Sequence, residues 1–154
     1  MVVNNTVVDD TDRLILELLQ EDAKITIREI AEKTDKSATA IRGRIQRLEK
    51  GLIKKYVALI DCRQLGYREM VMVSPRTNAT KPLELVKKEI ESMEKIKYAY
   101  VVTGEYPLFI MAKCLDHEDS MILIEKLRNL PGVEEIKTQI VLDRIKEDTT
   151  IIIP

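Results

Sequence analysis

The 154-residue chain carries 25 Lys and Arg against 26 Asp and Glu, a net charge of −1, and is 45% hydrophobic and 33% charged with only five Gly and five Pro. This excludes a disordered or low-complexity chain and leaves enough apolar side chains for one ordinary domain or two small ones. No apolar run approaches the roughly 20 residues that cross a bilayer, and Cys62 and Cys114, with no metal-ligand spacing and no secretory segment ahead of them, fit a reducing cytoplasm better than a disulfide framework.

In chain order, Leu14, Ile15, Leu18 and Leu19 recur at helical spacing behind Asp9, Asp10 and Asp12, which suit the positive end of a helix; this predicts a first helix over 10–20. Thr26 and Glu29 stand three apart just before Ile30 and Ala31, a capping-box pattern that predicts a short second helix ending near Lys33. Thr34, Asp35 and Lys36 make a turn. Ser37 then caps a third helix, with Ala38, Ile41, Ile45 and Leu48 on one face and Gly51 as its stop. Two short helices about a three-residue turn, with small Ala31 where they touch, form a helix-turn-helix, whose second helix enters the major groove.

Charge acquires meaning in this frame. Between Lys36 and Lys55 seven basic residues face one acid, Glu49, for a local net of +6. At about 100° per residue, Thr39, Arg42, Gly43, Gln46 and Lys50 fall opposite the Ile41/Ile45/Leu48 stripe, with Ala40 and Arg47 at one margin. Ser37, Thr39, Ala40, Arg42, Gly43, Gln46, Arg47, Lys50 and Lys54 are therefore the candidate DNA contacts. Arg42 and Gln46 have donors suited to guanine and adenine edges, while Arg47, Lys50, Lys54 and Lys55 suit phosphates. Arg44 lies beside the core stripe, where an ion pair or backbone contact competes with base contact. Gly43 costs about 1 kcal/mol in a helix relative to Ala; either the site tolerates it, or a side chain there would obstruct DNA.

The stretch 53–60 reads as a strand joining the two halves. Beyond it, 68–74 alternates as a strand; Leu83, Val86, Ile90 and Met93 are spaced for a helix; 98–103 and 108–115 read as strands. Met121, Ile122, Ile124 and Leu127 give a second helix, and Ile136, Ile140 and Leu142 sit on a last long strand. The order βαββαβ is ferredoxin-like. A short extra strand at 151–153 is expected to pair with a partner subunit. The only histidine, His117, sits among Asp116, Glu118 and Asp119 at a helix start, where the acids read as caps, and neither cysteine has a nearby His partner. No catalytic constellation and no metal cluster is apparent, so an enzyme is not expected.

Several stretches together resemble the Lrp/AsnC family of feast/famine regulators. They are residues 8–15 (Val-Asp-Asp-Thr-Asp-Arg-Leu-Ile), Glu29-Ile30-Ala31, and Ser37 with Ile41, Arg44, Ile45, Leu48, Glu49, Gly51 and Ile53. In the second half, Val102-Thr103-Gly104-Glu105-Tyr106 and Leu130-Pro131-Gly132-Val133 fall where that family has its glycine loop and its PGV turn. The resemblance spans nearly the whole chain. It implies an α+β protein: a winged-type helix-turn-helix domain over 1–53, a linker strand or hinge over 54–66, and a ferredoxin-like, RAM-type effector-binding and oligomerisation domain over 67–154. It also implies a dimer assembling further to a tetramer or octamer, and an amino-acid effector held by Val102, Gly104, Glu105, Tyr106 and Pro107 with Thr138 and Gln139. Glu105 then answers an ammonium group and the amides near Gly104 a carboxylate. On pattern alone the same loop is a plain hairpin. Two places depart from the family: Asp35-Lys36 stand where Gly-Leu is usual in the turn, and Pro107 where an Asp commonly helps hold the effector. The function expected is a DNA-binding transcriptional regulator modulated by a small molecule and needing no cofactor. The alternatives are an oligomeric, small-molecule-binding scaffold whose helix-turn-helix makes protein contacts, and an enzyme of amino-acid metabolism.

Overall fold

In the computed structural model of the chain, which describes residues 2–3, 6–78 and 83–154, helices begin where side-chain oxygens satisfy the free amides of a first turn. Helix α1 (Asp10–Glu21) opens on a reciprocal box: Asp9 accepts the Asp12 amide and the Asp12 carboxylate accepts the Asp9 amide. Helix α2 (Ile27–Thr34) opens on the same device built from Thr26 and Glu29, as their spacing predicts. Helix α3 (Ala38–Gly51) starts after Ser37, whose Oγ accepts the Ala40 amide. Between α2 and α3, Asp35 adopts the left-handed conformation (φ 52°, ψ 46°), and the Asp35 and Lys36 amides both donate to the Ala31 carbonyl, so the turn closes without glycine.

The apolar stripes of the three helices meet in a core of Ile15, Leu18, Ile30, Ala31, Ile41 and Leu48. Full burial of each large side chain contributes about 2 kcal/mol gross. Ahead of α1, strands β1 (Val2–Val3) and β2 (Thr6–Val7) pair antiparallel, an element too short for periodicity to reveal. The strand expected over 53–60 does not form. Its side chains alternate as a strand requires, but a strand also needs a ladder partner, and no described residue provides one; Leu59 and Ile60 are exposed.

The chain divides into two units, Met1–Leu59 with Glu147–Pro154, and Ile60–Lys146. The second has the expected βαββαβ order: β3 (Glu69–Thr77), α4 (Leu83–Glu91), β4 (Ile96–Val101), β5 (Leu108–Cys114), α5 (His117–Arg128) and β6 (Val133–Ile140). The sheet runs β4-β5-β3-β6, antiparallel throughout. Alternate residues of β5 (Leu108, Ile110, Ala112, Cys114) and Val71 and Val73 of β3 bury against Val86 and Ile90 of α4 and Leu123, Ile124 and Leu127 of α5. The opposite parity of the strands, Met72, Tyr98, Tyr100, Phe109 and Met111, faces away from that core.

One expectation about the C-terminus needs correction. The last strand ends at Ile140, leaving Leu142 outside it and exposed, and 151–153 pair with no strand among the described residues. Residues 147–154 cluster with the N-terminal unit rather than with the rest of the 67–154 domain. The Gln20 amide is one tie: its Oε1 accepts the Ile151 N–H (2.8 Å) and its Nε2 donates to the Ile151 carbonyl (3.0 Å). A side chain thereby satisfies main-chain groups that a strand partner would otherwise take.

Candidate nucleic-acid interface

Helix α3 has two unlike sides. Ile41 and Leu48 are wholly buried and Ile45 is half-buried, which fixes the helix against α1 and α2. Thr39, Ala40, Arg42, Gly43, Gln46 and Lys50 are exposed, and the Arg42, Gln46 and Lys50 side chains have no hydrogen-bond or ion-pair partner among the described residues. A Cβ built on Gly43 meets nothing within 4 Å, so no protein atom requires glycine there. Past the helix, Lys54 and Lys55 are exposed. The Ser37 hydroxyl oxygen is occupied as the cap of α3.

The margin of α3 is tied to α1. Asp12 is a carboxylate with no exposed surface, and it takes Arg44 Nη1 on one oxygen (2.9 Å) and Arg47 Nη2 on the other (2.5 Å). Arg44 Nη1 also meets both oxygens of Asp9, at 2.8 and 2.7 Å. The Arg44 guanidinium holds the Asp9 carboxyl below its ordinary value, with help from the Asp12 amide. Of the two readings open for Arg44, the ion pair is the one formed. Arg47, expected at the margin as a phosphate contact, is half-exposed but already engaged by Asp12. That role of Asp12 was hidden in the sequence, where an acid at a helix start reads only as a cap.

The loop 102–107 is a closed turn: the Val102 N–H donates to the Pro107 carbonyl (2.9 Å), and Gly104 has φ 115°, a conformation that suits glycine. Glu105 is not free. It pairs with Arg76 of β3 (3.2 Å), which also meets Glu135 (3.0 Å) and Glu134 (3.8 Å). Lys137 Nζ stands 3.8 Å over the Tyr106 ring. Thr138 and Gln139 follow on β6, exposed and in register with Val73 and Met72. Arg76 and Lys137 thus meet the loop directly, and Glu134 and Glu135 are linked to it through Arg76. Sequence reasoning missed them because only the β3–β6 register, which sets Arg76 opposite Glu135, brings them there.

Elsewhere, His117 is exposed with Nδ1 3.4 Å from Glu69, and Ser120 donates to the same carboxylate. Among the described residues no group of three or more His, Cys, Asp or Glu is placed to hold a metal ion, and no helix is long and apolar enough to cross a membrane.

Residues 8–49 match the AsnC-type helix-turn-helix domain and residues 69–151 the Lrp/AsnC ligand binding domain. The chain is 32% identical over 146 residues to the HTH-type transcriptional regulator FL11 of Pyrococcus furiosus, covering 94% of this chain and 96% of that one. Among solved structures it resembles Escherichia coli AsnC (TM-score 0.88, 26% identity, 94% and 99% of the two chains). It also resembles a transcriptional regulator from Neisseria meningitidis solved as an L-Met complex (TM-score 0.88, 24% identity, 94% and 96%).

Proposed function

Because the chain belongs to the Lrp/AsnC family of transcriptional regulators, we propose that it is a cytoplasmic, sequence-specific regulator rather than an enzyme, and that it reads double-stranded DNA by laying α3 in the major groove. Arg42 and Gln46 meet base edges; Arg47, Lys50 and Lys54 meet phosphates; Thr39, Ala40 and Gly43 are small enough to let the backbone approach, beside Ser37 at the helix start. One observation carries this reading: the outward side of α3 bears a guanidinium, an amide and an ammonium that no described protein atom engages, while Ile41 and Leu48 on its other side are buried. Polar groups left exposed on a rigid helix cost nothing in water and are available to a partner.

The test is fluorescence anisotropy with genomic fragments selected by the protein, across a salt series. Binding is expected to weaken steeply with salt, and R42A to cost about 10- to 100-fold on a selected site, the worth of one bidentate base contact. Binding indifferent to salt and to R42A would favour the protein-contact scaffold instead.

The C-terminal unit is proposed to bind an amino acid or a related zwitterion at the loop formed by Val102, Gly104, Glu105, Tyr106 and Pro107, with Thr138 and Gln139. The main-chain amides beside Gly104 suit a carboxylate. Since Glu105 already pairs with Arg76, an ammonium group has to share that carboxylate. Titration calorimetry with L-methionine and the other amino acids tests the site, E105A being expected to weaken whichever ligand binds. The helix-free sheet face is proposed to join a second copy, so that two α3 helices address symmetric half-sites.

A further inference from the structure

We propose that Asp12 is a positioning residue for DNA binding: from beneath the helix-turn-helix it holds Arg47 by one guanidinium nitrogen and leaves the others to a backbone phosphate of the duplex. This rests on the DNA-binding reading of α3 and goes beyond it, because Asp12 itself touches no DNA.

Two arginines, three residues apart on α3, share one buried carboxylate, and they share it unequally. Arg44 is held more deeply: its Nη1 meets three acceptors, Asp9 Oδ1, Asp9 Oδ2 and Asp12 Oδ1, and the side chain is only 28% exposed. Arg47 touches Asp12 Oδ2 through Nη2 alone, is 48% exposed, and its Nε and Nη1 have no partner among the described residues. The guanidinium is planar, with five donors in a fixed fork, so a contact at one nitrogen narrows the directions open to the rest. An arginine in water surrenders its rotamer freedom when it meets a phosphate; one already held by a buried carboxylate surrenders less. The carboxylate is itself held from a second side, since its Oδ2 also accepts the Asp9 amide in the cap of α1. Rigidity therefore runs from the α1 cap through Asp12 to Arg47, and Asp12 lies behind the cation on the buried side.

A phosphate contact and a fold contact leave different traces. Loss of a phosphate contact lowers affinity for any duplex and reduces the salt slope by about one. The experiment measures binding of the full chain to a labelled 30-base-pair duplex of random sequence over a sodium chloride series, for the native protein, R47Q, D12N and D12N/R47Q, with circular dichroism to confirm folding. R47Q is expected to weaken binding about 10-fold and to lower the slope by about one. D12N is expected to weaken binding similarly in the native background and to have no further effect in the R47Q background. A D12N loss equal in the two backgrounds would overturn the proposal, because Asp12 would then act through the fold alone. Should D12N not fold, R47K decides. It keeps the charge but not the planar fork that Asp12 is proposed to aim, and is expected to bind more weakly than the native protein with an unchanged salt slope; native-like binding by R47K overturns the proposal. A native protein that shows no salt-dependent binding to the duplex would remove the DNA-binding reading as well, so the two failures are distinguishable.

Discussion

Gly43 is not required by the protein's own packing. A methyl group at that position would meet nothing within 4 Å of the protein, so the fold has no use for glycine there. Gly43→Ala is expected to raise the unfolding free energy by about 1 kcal/mol through helix propensity and, at the same time, to weaken DNA binding because the added methyl faces the groove. Thermal unfolding and anisotropy on the same sample check both; a stabilised variant that binds as well as the native protein would show that the glycine is merely tolerated. What was legible at this scale were the residues whose role follows from helix geometry, Ile41 and Leu48 inward and Arg42 and Gln46 outward. What was not legible was any role that depends on a second element. Asp12 is 32 residues from Arg44 in the chain, and nothing in either neighbourhood announces the pairing.

The helices were legible because capping and period are local: Thr26–Glu29 and Ser37 set the starts of α2 and α3 as their side chains dictate. The turn between them stores a small cost. Asp35 is the one non-glycine described residue with positive φ, and Asp35→Gly is expected to raise stability by about 0.5–1 kcal/mol in denaturant unfolding, the left-handed penalty less the added freedom of the unfolded chain. In β5, burial pushes the Cys114 thiol up to about 11 from an ordinary 9.0. Below 9.0 neither state ionises; between 9.0 and about 11 the unfolded chain loses its proton and the folded chain keeps it, so stability falls as pH rises through that window. Cys114→Ala is expected to flatten this part of the alkaline limb in unfolding curves taken from pH 8 to pH 11. Strands were less legible than helices because a strand is defined by its neighbour. Residues 53–60 have the alternation but no described partner, and in 151–153 the Ile151 main-chain groups go to Gln20 instead.

At the scale of the molecule, the βαββαβ order follows from periodicity, whereas the grouping of 147–154 with the N-terminal unit does not, because its ties, the Gln20 amide on the Ile151 main chain among them, join residues as far as 131 apart. The sheet face opposite α4 and α5 carries Tyr98 stacked on Tyr100 at 6.3 Å, beside Phe109, Met111 and Met72. An apolar face of this kind suits a second copy. Tyr100→Glu is expected to shift the protein toward monomer in sedimentation velocity and to weaken binding to a two-half-site operator more than to a single half-site. All of this depends on α3 meeting the duplex with its exposed side, which photo-cross-linking tests most directly. A photoreactive phenylalanine analogue placed at Gln46, with one at exposed Glu17 of α1 as the control, is irradiated on a selected duplex. Attachment to bases from position 46 and little from position 17 is expected; attachment from 17 and none from 46 would contradict it.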